Sequence, residues 1–487
     1  MRTWERVAVA ALVLFAALRV SCMAASFPFF TNVDEHRHVD MVLKYARGTL
    51  PGSGPSAYEN AMPYLMARLG APDYQLAPGP DHAALPGWSV PQGELERRVR
   101  RNEAFFRRLV NLDAFQSPTY YATAGAWLWL ARGVGLGSER ALYAVRLLNG
   151  VFAALLVWCA SALVRRTHAG DAPVRWGVPL LLAFFPQDAL YYVTPDALSP
   201  LLGAAAFAWT VQLALAPASG ARRYAVAGLA SAAAFLTKLP NLYVPVLAAA
   251  AALREARRSA PVLRGYALYA AAFAVPVGLW LLRNQLVQGE ALGTGSKVEL
   301  LGWRPNPMSD WLSHPLFTPS GFASFVADLV PRFWRGELVW RRYELAWPPA
   351  DAIYTATTLL FLALAAVALP RRPRGDARTV ETASAASVAL SVAILVVLSL
   401  RFVFPENGNP SAARPWFHHG RLISGALLPF AVLYVRGLCV MTSPLPERAR
   451  APAAFAALGA LCALALGSEL WLSAPVFRSA FNFWHLP

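Results

Sequence analysis

The chain has 487 residues, of which 56% are hydrophobic and only 15% charged, with a mean hydropathy of +0.39. Apolar residues at that density, gathered in runs the length of a bilayer span, exclude a single soluble core. The formal charge of +16 sits mostly in short arginine clusters between the apolar runs, which argues against nucleic acid as a partner and for loops held in the cytoplasm.

Residues 7–25 follow Arg2 and Arg6 without a convincing small-x-small cleavage site, so they are expected to form an uncleaved first span. Further apolar runs lie at 142–164, 176–193, 197–216, 224–237, 240–253, 265–283, 350–369, 383–404, 421–440 and 452–472, giving about eleven spans in all. The pair 224–237 and 240–253 is short, and Lys238-Leu239-Pro240-Asn241 between them favours a hairpin over one tilted helix. The run from Tyr120 to Ala131 is shorter still and is expected to lie at the interface rather than to span.

With the N-terminus inside, the cytoplasmic side holds Arg2, Arg6, Arg165, Arg166, Arg175, Arg222, Arg223, Arg254, Arg257, Arg258, Arg264, Arg371, Arg372, Arg374, Arg378, Arg448 and Arg450. The short opposite turns hold only Lys238 and Arg414. The expected class is therefore all-α: a polytopic transmembrane helical bundle, one membrane domain over 1–487, with its working face outward from the inner (plasma) membrane. Residues 26–140 form a long first outer loop with interfacial helices, 285–348 a second, and 473–487 an outer tail. Within the first loop, Glu94 to Leu112 carries Arg97, Arg98, Arg100, Arg101, Arg107 and Arg108 beside Phe105 and Phe106, the pattern of an amphipathic helix lying on anionic headgroups or of a solvated one.

The four cysteines, Cys22, Cys159, Cys439 and Cys462, fall inside apolar runs without paired spacing, so neither a disulfide framework nor a zinc knuckle is indicated. The chemistry gathers elsewhere. Directly after the first span, Asp34-Glu35-His36-Arg37-His38 opens a helical pattern whose positive end keeps carboxylates ionised. A carboxylate there is suited to take a proton from a hydroxyl, and the alternative is simple N-capping by Asn32 or Asp34. Asp34 and His38 at i, i+4 leave room for a divalent metal, although none is required. Asp196 follows the third span, where an ionisable group is costly and is usually kept for function; its plain alternative is an N-cap after Pro195.

Lys238 stands out because the chain has 41 arginines and three lysines, and a compact ammonium at a span end would hold a phosphate. Arg283, His418, His419 and Arg421 add cations to the same side, with snorkelling to headgroups the alternative for Arg283. Together these groups suit a reaction that releases a phosphate while deprotonating an alcohol, with a single carboxylate as base.

In the order of these features the sequence resembles the GT-C glycosyltransferases that use polyprenyl-phosphate sugars, the group of protein O-mannosyltransferases and lipid A aminoarabinose transferases. The carrying residues are Asp34-Glu35 with Tyr45 and Gly48, Gln116-Ser117-Pro118-Thr119-Tyr120-Tyr121, Arg146, Asp196 and Thr237-Lys238. Trp280 to Asn284, Gly289 to Gly293, Phe333-Trp334-Arg335-Gly336 and Gly420-Arg421-Leu422 look more like an allied, uncharacterised branch. The resemblance implies Asp34 as base with Asp196 assisting, and Glu35, the adjacent carboxylate, is a further catalytic candidate. It also implies Lys238 near the lipid phosphate; Arg283, Arg421, His38, His418, His419, Tyr120 and Tyr121 are the further candidates for binding substrate. Its partners would be a polyprenyl-phosphate sugar donor, a glycan, lipid or protein acceptor, and membrane lipid. Ser117, where the aminoarabinose transferases have a lysine, leaves donor and acceptor open. A flippase for a lipid-linked saccharide and a surface-polysaccharide polymerase or ligase are the rival readings; the first tends to show internal repeats, and the second concentrates its groups in later loops.

Overall fold

The computed structural model describes residues 3–31, 34–52, 56–75, 85–217, 220–255 and 260–482. Arg2, Asn32, Val33, Asp81, Arg257, Arg258 and residues 483–487 of the tail lie outside the described residues. The chain is a helical multi-pass membrane protein. It begins with α1 (Thr3–Ser26), followed by α2 (Glu35–Ala46), α3 (Met62–Leu69), α4 (Gln92–Phe106) and α5 (Pro118–Gly133). Then come α6 (Ser138–Thr167), α7 (Ala172–Phe184), α8 (Pro195–Leu215), α9 (Ala221–Phe235), α10 (Tyr243–Glu255) and α11 (Ala260–Gln288). The rest is α12 (Gly295–Leu300), α13 (Pro319–Arg335), α14 (Pro348–Ala368), α15 (Asp376–Leu400), α16 (Leu427–Thr442) and α17 (Glu447–Phe477). The only strands among the described residues are two-residue pairs, β1 (Arg304–Pro305) with β4 (Phe402–Val403) and β2 (Val339–Trp340) with β3 (Tyr343–Glu344).

Eight helices are long and apolar enough to cross a membrane, fewer than the eleven expected: α1, α6, α8, α11, Pro348–Arg371, α15, Gly420–Thr442 and α17. The three that fall short are α7, α9 and α10, with 13, 15 and 13 residues. In the run 176–193 the helix stops at Phe184 because Pro186 follows, and the residue before a proline is pushed out of the helical region; Phe185 is extended at φ −67, ψ 118. A 3-10 turn over Asp188–Tyr191 then leads into α8. The run 224–253 does fold as a hairpin, bent at Lys238 to Leu242. Residues 119–132 form most of α5, whose sixteen residues reach about 24 Å, short of a bilayer core, and α5 packs on α2 and α6.

α4 is amphipathic, but not every arginine on it faces out. Arg98 turns inward with Leu95, Asn102 and Phe106 and donates to Gln75 (2.8 Å) and Glu94 (3.0 Å), leaving Arg97, Arg100, Arg101 and Arg107 on the outer face.

Two devices tie the bundle together. Inside it, Arg19 of α1 pairs with Glu469 of α17, which also accepts from Tyr191, and Arg19 donates to the carbonyls of Ala183 (3.0 Å) and Phe185 (2.8 Å). Charges among apolar spans persist only when paired in this way. Close helix approach depends on small residues: a Cβ on Gly203 of α8 would strike the backbone of Gly425, whose carbonyl accepts from Tyr243 at 2.8 Å. That contact fixes the turn before α16 against α8 and α10, and so sets the position of Arg421.

Candidate active site

Four chain segments converge at one end of the bundle. Asp34 precedes the first turn of α2 and makes no cap hydrogen bond to it, so N-capping does not occupy this carboxylate. Its oxygens meet Arg37 at 3.2 Å and Arg421 at 3.3 Å. Asp196 lies in the first turn of α8, but the cap there is Thr194, whose hydroxyl accepts from the Asp196 N–H and donates to its carboxylate at 3.2 Å. Lys238, at the α9–α10 bend, reaches Asp196 at 3.0 Å. Arg421, in the 3-10 turn over Gly420–Ala426, is the hub: its guanidinium also lies 3.9 Å from Asp196 and 3.7 Å from Glu337.

The cluster extends on both sides. Glu337 bonds His419 at 2.7 Å and lies 3.5 Å from Arg332. Beside Asp34, Asp113 takes Lys297 at 2.6 Å and a Gln116 amide at 2.6 Å. Gln116 accepts from the Tyr121 hydroxyl at 3.2 Å, and that hydroxyl is 2.8 Å from His38 Nδ1. This sequence of contacts, from Lys297 to His38, forms a polar wall along α2 and α5.

Electrostatics keep the carboxylates charged. Burial works to protonate Asp34, but Arg421, Lys297 and Arg37 outweigh it and hold the group well below the usual carboxylate range. Burial likewise opposes ionisation of Glu337 and Asp113; His419 and Arg421 bring the first down to about 2, and Lys297 with His38 the second to about 2. Burial takes His38 down to about 4, so its ring is neutral near pH 7. Asp188, which accepts the Glu337 N–H at 3.1 Å, is pushed up to about 7 by burial and by Glu337.

Glu35 stands apart from this cluster. It has no exposed side-chain surface, pairs with Arg146 at 2.9 and 2.6 Å, and accepts the N–H groups of Phe30 (2.6 Å) and Val193 (2.9 Å). It anchors the start of α2 rather than facing the charged cluster. Arg283 lies over the Trp280 ring and donates to Asn284 and to the Pro51 carbonyl, and it forms no ion pair with the cluster among the described residues. Tyr120 is buried at 1% exposure beside Tyr121.

One set of side chains could hold a metal: the ligand atoms of Glu337, His418 and His419 lie within 4.8 Å of one another. His418 Nδ1 points to the Trp416 carbonyl at 3.2 Å, an orientation that leaves Nε2 as the ligand atom. Burial takes His418 down to about 4, which keeps that nitrogen neutral. The earlier pairing of Asp34 with His38 is engaged otherwise, the one with arginines and the other with Tyr121.

Sequence reasoning missed Glu337, Asp113, Arg37, Asp188 and Lys297. Lys297 carried the same signal as Lys238, since it is one of only three lysines. Glu337 directly follows the Phe333-Trp334-Arg335-Gly336 motif. A Cβ at Gly336, where φ is +80, would collide with the Asp188 carboxylate, so this glycine is what lets Glu337 approach.

No family model matches the sequence, and no curated protein does. Among solved structures the chain is similar to ArnT from Cupriavidus metallidurans bound to undecaprenyl phosphate, with a TM-score of 0.44 and 14% identity over 99% of this chain and 75% of that one. It is also similar to the archaeal oligosaccharyltransferase AglB from Archaeoglobus fulgidus, in complex with an inhibitory peptide and a dolichol-phosphate, at 0.43 and 10% over 97% and 56%. A third is the arabinosyltransferase EmbB from Mycobacterium smegmatis, at 0.37 and 13% over 91% and 37%. All three are GT-C glycosyltransferases.

Proposed function

We propose that this chain transfers a sugar from a polyprenyl-phosphate donor to an acceptor hydroxyl at the outer face of the plasma membrane, with its N-terminus in the cytoplasm. The observation that carries the reading is Arg421 shared by Asp34, Asp196 and Glu337, with Lys238 on Asp196. This puts a base and two phosphate-binding cations within one side-chain length of each other. An apolar groove of about 170 Å3, lined by Phe325, Leu329, Phe333, Ile423 and Phe430, begins two residues along the chain from Arg421 and suits the first part of a polyprenyl chain. Across the cluster, a cavity of about 410 Å3 lined by Asn111, Phe115, Gln288 and Glu290 flanks Asp113 and suits the acceptor.

In the reaction Asp34 takes the acceptor proton, the acceptor oxygen bonds to the anomeric carbon, and the bond from that carbon to the phosphate oxygen breaks with inversion. The phosphate leaves as polyprenyl phosphate against Lys238 and Arg421. A carboxylate held as far down as Asp34 is a weak base. Arrival of the donor phosphate at Arg421 draws that cation toward the new anion and raises the basicity of Asp34 when the substrate is bound. Asp196 positions Lys238, and Glu35 with Arg146 holds the backbone that presents Asp34. A divalent ion on Glu337, His418 and His419 would add positive charge beside the leaving group.

The test is to incubate the purified protein with polyprenyl-phosphate sugars and measure release of polyprenyl phosphate. Parent protein should release it and Asp34→Asn should not. Release that survives the substitution removes Asp34 from its role, and movement of intact donor across a vesicle membrane without release would establish the flippase instead.

A further inference from the structure

A second charged cavity lies at the far end of the bundle. Asp196 is in the first turn of α8, and Thr210, fourteen residues on and so about 21 Å away along the helix, lines a cavity of about 570 Å3. α15 gives the same sense of direction. Its Ser399 accepts the Phe417 N–H at 2.9 Å beside the His418 segment, whereas Arg378 and Thr379, which line the cavity, are in its first turns. The cavity wall is apolar, with Val211 from α8 and Leu247 and Ala251 from α10, and its rim carries Arg254, Arg374 and Arg378.

The rim is under-neutralised. Arg254 has Glu255 at 3.1 Å, but Arg374 and Arg378 pair with no carboxylate among the described residues, and Arg378 donates only to the Arg372 carbonyl at 2.9 Å. The arginine cluster next to it differs: Arg372 and Arg436 are both satisfied by Asp171 and Glu381. Uncompensated guanidinium groups above an apolar wall match an anionic headgroup above acyl chain.

We propose that this cavity binds the phosphate headgroup of an anionic membrane phospholipid, with acyl chain along α8, α10 and α15. The guanidinium groups of Arg374 and Arg378 take the phosphate, Arg254 closes the third side, and the chain lies where Val211 and Leu247 meet the membrane. This site is separate from the candidate active site and does not depend on the reaction proposed there.

The experiment uses the full purified chain in detergent, titrated in native mass spectrometry with phosphatidylglycerol, with phosphatidylcholine and with inorganic phosphate. Phosphatidylglycerol should be retained over phosphatidylcholine, and Arg374→Gln/Arg378→Gln should weaken its retention by at least about tenfold. Arg222→Gln/Arg448→Gln, which removes the same charge from this end outside the cavity, should retain it as the parent does. Should the first pair lower the yield of folded protein, Arg254→Gln gives the same reading. Equal retention of the two lipids, undiminished retention in Arg374→Gln/Arg378→Gln, an equal loss in the control pair, or displacement of the lipid by inorganic phosphate would each overturn the site.

Discussion

Replacing Arg146 by methionine removes one half of a pair with no exposed side-chain surface on either partner. The guanidinium makes two bonds to Glu35, at 2.9 and 2.6 Å, donates to the carbonyls of Phe27 (2.6 Å) and Pro28 (2.9 Å), and lies 3.8 Å above the Phe29 ring. Methionine fills much of the volume but leaves the Glu35 carboxylate with two backbone N–H groups and no counter-charge. Removing one partner of such a pair costs about 3–5 kcal/mol, whereas replacing both partners is often neutral. Arg146→Met should therefore lower the thermal midpoint of the detergent-solubilised protein well below that of Glu35→Gln/Arg146→Met, read by tryptophan fluorescence at neutral pH. Release of polyprenyl phosphate should fall with it, because Glu35 adjoins Asp34. Equal midpoints for the single and double variants would refute the view that charge left unpaired, rather than lost packing, sets the cost.

Lys238→Met should raise the KM for the lipid donor about tenfold, the effect of one lost charge-assisted contact of about 1.4 kcal/mol, with a smaller change in kcat; an unchanged KM would take Lys238 away from the phosphate. Glu337 and Asp113 sit at about 2, below their ordinary values, so the stability they contribute is complete above about pH 4.5 and is lost as pH falls toward 2. Melting followed from pH 7 to 3 should show that loss, and His419→Gln should flatten the Glu337 share of it; an equally steep profile in the variant contradicts the assignment. Gly336→Ala places a methyl against the Asp188 carboxylate at a φ of +80 and should destabilise the protein by about 1–3 kcal/mol in the same melting assay, and a midpoint like the parent's would show that the turn can relax.

Much of this arrangement was legible in the chain because lipid imposes a simple grammar: long apolar runs mark the helices, and the rare ionisable groups at their ends mark the site. Asp34, Asp196, Lys238 and Arg421 stood out for that reason, and they meet. The third apolar run is α-helical only as far as Phe184: hydropathy does not register Pro186, whose effect on Phe185 is steric and ends the helix early. Glu35 was grouped with Asp34 by adjacency, yet successive residues at the start of a helix point about 100° apart, and only Asp34 turns to Arg421. Glu337, Asp113 and Asp188 were not legible because their partners lie far along the chain: Asp113 meets Lys297, and Asp188 meets Glu337 only through the opening that Gly336 leaves.

The pairing of Arg19 with Glu469 has a bearing on biosynthesis. The two residues are 450 positions apart, so at typical translation rates the second emerges roughly 20 to 90 s after the first. Through that interval the first hydrophobic segment carries a cation without its carboxylate, and the carbonyl oxygens of Ala183 and Phe185, made 164 and 166 positions after it, can then solvate but not neutralise it. Nascent chains stopped before α17 thus retain an uncompensated charge in the bilayer, and it is paired only once Glu469 has been made.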